Sequence, residues 1–219
     1  MYFYKNFEQM KTLLLTLLGL FTLYAPLNAQ KIFSEGQIKY DVYINGSTKP
    51  EGVFVISVKG GMIKREISMN NGYHNITLYN HQTGMTHSLS LKGDQKYALE
   101  MKAEEVKLKN KRFEGAKIDL SDGQKKLAGL KCQDAEVTYL NGEKAKFSFT
   151  TDLIPMIETF NAMFPGLKGI PLEYEVKSSP TLNMKFVATL IDIKAIDASI
   201  FQLPADYKIV TTAELESMK

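Results

Sequence analysis

The sequence predicts a mainly β (α+β) protein: a strongly curved antiparallel sheet or half-barrel of about ten strands, with a helix packed across its concave face. Three observations predict it. Short runs with period-two alternation of apolar and polar residues recur along most of the chain. Asn/Gly turn signals separate those runs at the close spacing of hairpins. One stretch, residues 152–171 (DLIPMIETFNAMFPGLKGIP), breaks the alternation with apolar residues three and four apart.

The elements follow in order. Residues 36–45 place Ile38, Tyr40, Val42 and Ile44 on one face and Gln37, Lys39, Asp41 and Tyr43 on the other, a half-buried strand. The turn NGSTKPEG leads to an apolar strand over 53–58, and Lys59-Gly60-Gly61 turns it back. In 63–69, Ile63, Ile67 and Met69 share a side; Arg65 falls in the same row and is the odd residue there. Asn70-Asn71-Gly72 supplies the next hairpin turn, because Asn-Gly tolerates positive φ. Strands over 73–79, 85–91 and 96–101 are separated by Gln82-Thr83-Gly84 and Lys92-Gly93-Asp94. The charged segment 102–125, broken by Gly115 and Gly123, reads as a mobile connection with a short strand near Ile118.

A second clear hairpin spans 132–140 and 145–151 about Asn141-Gly142. The predicted helix then begins, with Asp152 as its N-cap and Pro155 in its first turn. Its stripe is Leu153, Ile157, Phe160 and Phe164, flanked by Met156 and Met163, and Pro165-Gly166 ends it. Residues 171–177 pair with 185–194 through Ser178-Ser179-Pro180. Leu182, Met184, Phe186, Ala188 and Leu190 point inward, and the changed parity of Ile191 and Ile193 calls for a bulge near Leu190. The tail from Thr211 reads as a short exposed helix or a frayed end.

Composition sets the class. A hydrophobic fraction of 44% with 23% charged residues is ordinary for a globular chain, and 219 residues suit a leader plus one domain. The net charge of +3 is small and its signs are interspersed, so nucleic acid is not indicated. Lys5 and Lys11 precede and open an apolar run over 13–23, and Ala29 stands before Gln30. This is the pattern of a cleaved signal peptide, residues 1–29, with Met10 as an alternative start. The apolar run falls short of the roughly 20 residues that span a bilayer, and no Cys lies near the cut. The expectation is one exported domain over 30–219, periplasmic or secreted, without stable membrane insertion. Cys132, the one cysteine, leaves no intramolecular disulfide and reads as a small buried hydrophobe.

Three segments carry a resemblance. Lys126-Leu127-Ala128-Gly129-Leu130-Lys131-Cys132 precedes a strand–turn–strand and a Thr-Thr-Asp step. Gly166-Leu167-Lys168-Gly169-Ile170-Pro171-Leu172-Glu173-Tyr174 follows, and then Phe201-Gln202-Leu203-Pro204-Ala205-Asp206-Tyr207. In this order they resemble exported bacterial proteins of unknown function with an I-A-G-Y-K-C … G-x-P-L … F-x-L-P-x-G-Y pattern, a group similar to the LolA/LolB-like lipoprotein-carrier superfamily. Asp206 stands where that pattern has Gly. The resemblance covers the C-terminal half and implies a half-open barrel whose apolar concave side is covered by helix. It also implies lipid or lipoprotein acyl chains as partners.

The candidate ligand-binding residues are therefore Met156, Ile157, Phe160, Met163 and Phe164 of the predicted helix, with Met184 and Phe186 on a facing strand. Methionine is flexible and polarisable and suits varied apolar ligands. The competing reading is that these side chains only fill a core, in a non-catalytic structural or interaction protein of the cell envelope. No G-x-S-x-G, H-E-x-x-H or Gly-rich helix-opening motif occurs, so neither catalysis nor a cofactor is expected. His74, His81 and His87 lack an obvious acidic partner and read as surface residues rather than metal ligands.

Overall fold

The computed structural model describes residues 30–92 and 94–217. The leader expected at 1–29 and Gly93 of the expected turn lie outside the described residues. Fourteen strands form in the order β1 (Lys31–Phe33), β2 (Glu35–Ile44), β3 (Gly52–Lys59), β4 (Met62–Met69), β5 (His74–Asn80), β6 (Thr86–Lys92) and β7 (Gln95–Met101), then β8 (Lys117–Leu127), β9 (Leu130–Thr138), β10 (Lys144–Thr150), β11 (Leu153–Pro155), β12 (Ile170–Ser179), β13 (Leu182–Asp192) and β14 (Lys208–Val210). Helices α1 (Ala103–Asn110) and α2 (Thr212–Ser217) complete the regular elements used below.

Twelve strands make one open sheet in the order β14-β7-β6-β5-β4-β3-β2-β13-β12-β10-β9-β8. The sheet is mixed rather than antiparallel, because β14 lies parallel to β7. A separate parallel pair joins β1 to β11. The strand count thus exceeds the ten or so expected, and the mainly β class holds.

The register explains which face is buried. Tyr40 lies opposite Phe54 and Ala188, and Val42 opposite Phe186. Phe186 in turn lies opposite Tyr174, and Tyr174 opposite Phe147. One continuous apolar face results, since side chains of paired residues point the same way. Ile38, Tyr40, Val42, Ile63, Ile170 and Leu172 are at most 1% exposed at its centre. The opposite face of β5–β7 carries an apolar cluster of Leu78, Leu89 and Ala98 with Ile76, against which Leu203 and Tyr207 of the C-terminal segment pack. Asp206 holds that segment through an ion pair with Lys96 at 2.5 Å.

The helix expected over 152–164 is absent. Leu153–Pro155 instead forms β11, and Ile157 is extended at φ −127°, ψ 139°. Asp152 does not cap a helix; its carbonyl accepts from the Lys31 amide at 3.0 Å. A single 3-10 turn follows at Glu158–Asn161. Its amide bonds reach back three residues: Phe160 to Ile157 at 3.1 Å, Phe164 to Asn161 at 2.8 Å and Leu167 to Phe164 at 3.1 Å. Stacked tight turns repeat every three residues, so a spacing of three to four does not separate them from an α-helix. Ile157, Phe160 and Phe164 are all buried nonetheless, the first two in one core cluster and Phe164 in another.

The true α-helix near the sheet's apolar face is α1, within the segment read as a mobile connection. It belongs to the crossover from β7, near one edge, to β8 at the other edge. A 3-10 turn at Lys111–Phe113 extends it. No residue of α1 is fully buried, so no apolar stripe marks it. Its signals are electrostatic: Glu104 and Glu105 in the first turn, Lys107 and Lys109 in the last, and the Glu105 carboxylate accepting from the Lys102 amide at 2.9 Å. The bulge in β13 falls between Ala188 and Leu190. Leu190 therefore points outward, 53% exposed, whereas an inward position was expected.

Candidate functional site

The sheet's apolar face and the segment over residues 159–164 do not close on each other completely. Between them lies a cleft of about 380 Å³. Its floor is Tyr40 of β2, Phe54 and Ile56 of β3, Arg65 of β4, Tyr79 of β5, Tyr174 and Val176 of β12, and Phe186 of β13. Its roof is Thr159, Phe160, Asn161, Ala162, Met163 and Phe164, and Val106, Asn110, Arg112 and Phe113 complete one side.

Aromatic packing shapes the floor. Tyr174 stacks on Phe186 with centroids 5.0 Å apart, and Phe54 meets Phe186 edge-on at 5.2 Å. Such pairs fix ring orientation beyond what simple burial does. Phe164 of the roof stands edge-on to Tyr174 at 5.9 Å and lies 4.4 Å from Phe147. The roof is anchored at its start by Phe33, 1% exposed, whose ring meets Phe160 at 6.2 Å. Next to Phe160, Asn161 Nδ2 donates to Gly169 O at 2.7 Å, while the buried Asn161 Oδ1 has no partner among the described residues.

Two polar ties cross the cleft. Tyr79 Oη and Thr159 Oγ1 are 3.2 Å apart, and Arg65 Nη2 donates to Thr159 O and Phe160 O at 3.3 Å. Arg65 has no carboxylate partner among the described residues; its titratable neighbours are the phenols of Tyr174, Tyr40 and Tyr79. Burial lowers its pKa from the ordinary arginine value, and the three tyrosines oppose that shift. A guanidinium starts so high that it remains a cation at neutral pH. Burial also raises the phenols of Tyr40 and Tyr174 well above the ordinary value, so both are neutral. The Tyr40 phenol, 1% exposed, donates to Pro171 O at 2.9 Å.

Of the residues singled out from sequence, Phe160, Met163, Phe164 and Phe186 line the cleft. Met156, Ile157 and Met184 do not. Met156 is 53% exposed, Ile157 is buried in the core beside Leu153 and Phe160, and Met184 packs against that same core. The sequence reading missed the tyrosine floor and the contribution of Val106, Arg112 and Phe113. Arg65, an arginine in an otherwise apolar row, was the one available signal for the polar centre.

A larger hollow of about 1190 Å³ lies over the opposite face, along β8–β10, β12 and β13. Several of its charges pair with one another: Lys125 and Lys185 with Glu173 at 3.0 and 2.9 Å, and Lys144 with Glu136 at 2.7 Å. Burial raises Glu173, but its hydrogen bonds from Lys185 and Lys125 outweigh that and leave its carboxyl below the ordinary range. This is a solvated ion-pair face, and the cleft is the stronger candidate. Two histidines do have acidic partners, contrary to the sequence reading: His74 lies 3.0 Å from Glu66 and His87 lies 3.3 Å from Glu100. Among the described residues no group of three or more His, Cys, Asp or Glu could hold a metal ion. Cys132 is 3% exposed, and burial raises its thiol.

No protein-family model matches the chain, and no curated protein matches it either. Among solved structures, PNGF-II in a P21 crystal form matches with a TM-score of 0.51 at 14% identity, over 84% of this chain and 33% of that one. A C2 crystal form of PNGF-II gives 0.46 at 13% identity, over 84% and 32%. A LolA superfamily protein from Nitrosomonas europaea gives 0.33 at 8% identity, over 78% and 91%. The chain spans about a third of the length of the PNGF-II chains it matches. At these identities the first likeness concerns the fold alone.

Proposed function

We propose that this protein binds a hydrophobic ligand, a lipid or an acyl chain, in the cleft between the sheet and the roof at residues 159–164. The observation that carries the reading is an unfilled, aromatic-lined space where a purely structural core would be closed. Concave, mostly apolar hollows with a few placed polar groups are the usual form of small-molecule sites. The roof is made of tight turns rather than a long helix, and it meets the floor through polar contacts from Tyr79 and Arg65 as well as through aromatic packing. Catalysis is not part of the reading, and its location outside the cytoplasm rests on the leader pattern.

Native mass spectrometry of protein purified from an expressing cell tests it. Co-purifying lipid, displaced by a fluorescent fatty acid, is the expected result. A clean ligand-free mass together with no uptake of the fluorescent probe overturns it.

A further inference from the structure

We infer that the ligand is a single-chain amphipath with an anionic head, a carboxylate, and that it enters head first so that Arg65 receives that head. This rests on the hydrophobic-ligand reading and narrows it. The cleft's ionic groups are two arginines, Arg65 and Arg112, with no aspartate or glutamate among its lining residues. The lining is otherwise largely apolar or aromatic, so a buried negative charge would meet attraction without a nearby opponent.

Arg65 is the inner of the two. It stands on β4 among Tyr40, Tyr79 and Tyr174, and its hydrogen bonds are two contacts of 3.3 Å from one nitrogen to neutral carbonyls. A guanidinium carries five donors in a planar fork that matches a carboxylate. Charge-assisted bonds to a carboxylate are shorter and about twice as strong as neutral ones. Exchanging the Thr159 and Phe160 carbonyls for a carboxylate would therefore stabilise the cation and release the roof together. Arg112 is exposed and lies over the Phe113 ring at 4.5 Å, so solvent already satisfies it at the rim. Arg65, half-buried beneath the roof, is the less solvated of the two, which sets the orientation.

Size sets the chain number. A volume of about 380 Å³ is near the lower end of ligand clefts, which run from about 300 to 1,000 Å³. One alkyl chain beside Phe54, Phe186 and Met163 fits that space better than several.

Calorimetric titration with dodecanoate and with dodecanol, on wild type, Arg65→Met and Arg65→Lys, tests the inference. Wild type is expected to bind dodecanoate more tightly than dodecanol. Arg65→Met should weaken dodecanoate by about ten- to a hundred-fold, the range for a charged hydrogen-bonded group, and leave dodecanol within about three-fold. Arg65→Lys should recover part of the loss. Equal binding of both ligands by wild type, or equal loss of both in a folded Arg65→Met, overturns the anionic-head inference and leaves the hydrophobic-ligand reading standing. Failure of wild type to bind either overturns both. Should Arg65→Met not fold, dodecanoate labelled with carbon-13 at its carboxyl gives the answer on wild type. Its bound carboxyl should titrate below the free ligand, and titration above the free ligand would overturn the inference.

Discussion

Arg65 Nη2 donates to the Phe160 carbonyl at 3.3 Å across 95 positions of sequence, and so ties the fourth strand to the roof of the cleft. With the Thr159 carbonyl as its second acceptor, this side chain joins the two layers that bound the space. In the ligand-free protein, Arg65→Met should loosen the roof without unfolding the sheet. Hydrogen exchange at the Phe160 and Phe164 amides, which close the tight turns, should speed up by about ten-fold, equivalent to roughly 1.4 kcal/mol of local opening. Amides of β2 and β3 should be unchanged.

The roof's geometry distinguishes two residues that a helix would place on adjoining faces. Phe164 is 3% exposed and packs on Phe147 and Tyr174, whereas Met156 is 53% exposed beyond the end of β11. Phe164→Ala should cost about 3–5 kcal/mol, the range for deleting a buried phenylalanine. Met156→Ala should change stability by no more than about 0.5 kcal/mol. Urea denaturation of the two variants checks the contrast.

Ala128 and Gly129 join β8 to β9 with φ of 47° and 83°. An L-residue in the left-handed region is held there at a cost of about 1–2 kcal/mol, which glycine avoids. Ala128→Gly should stabilise the protein by about 0.5–1 kcal/mol after allowing for the greater entropy of its unfolded chain. Thermal melting checks the sign.

Tyr40 and Tyr174 set the behaviour in alkali. Burial raises both phenols above the ordinary value of 10.0. The folded form thus keeps protons that the unfolded chain gives up, and stability falls as pH rises above that value. Below it the contribution is complete. Each tyrosine adds about 1.4 kcal/mol of loss per pH unit in that window. Urea midpoints measured from pH 9 upward should drop with a slope that Tyr40→Phe reduces, relative to its own midpoint at neutral pH.

Much of the β architecture was legible because period-two alternation is a local consequence of half-buried strands. The face shared by Ile38, Tyr40 and Val42, the Asn-Gly turns and the β13 bulge all came from residue order alone. What failed was local structure whose signals were ambiguous or electrostatic. The amides of Phe160, Phe164 and Leu167 each close a turn three residues back, so the spacing of these apolar residues could not exclude an α-helix. α1 buries nothing fully and therefore left no apolar period to read. At the site, Phe186 was found because it is apolar at the right strand parity, and Phe160, Met163 and Phe164 because they are apolar three and four residues apart, although the helix expected from that spacing is absent. Arg112 and Phe113 were not, since only the crossover from β7 to β8 brings them to the cleft.

The most direct measurement is isotope-filtered nuclear Overhauser spectroscopy of the protein saturated with dodecanoate. Contacts from the ligand's methylene protons to the Phe54, Phe160, Phe186 and Tyr174 rings and to the Met163 methyl are the expected result. Contacts confined to the ion-pair face around Lys125, Glu173 and Lys185, or none under saturating ligand, would contradict a binding role for the cleft.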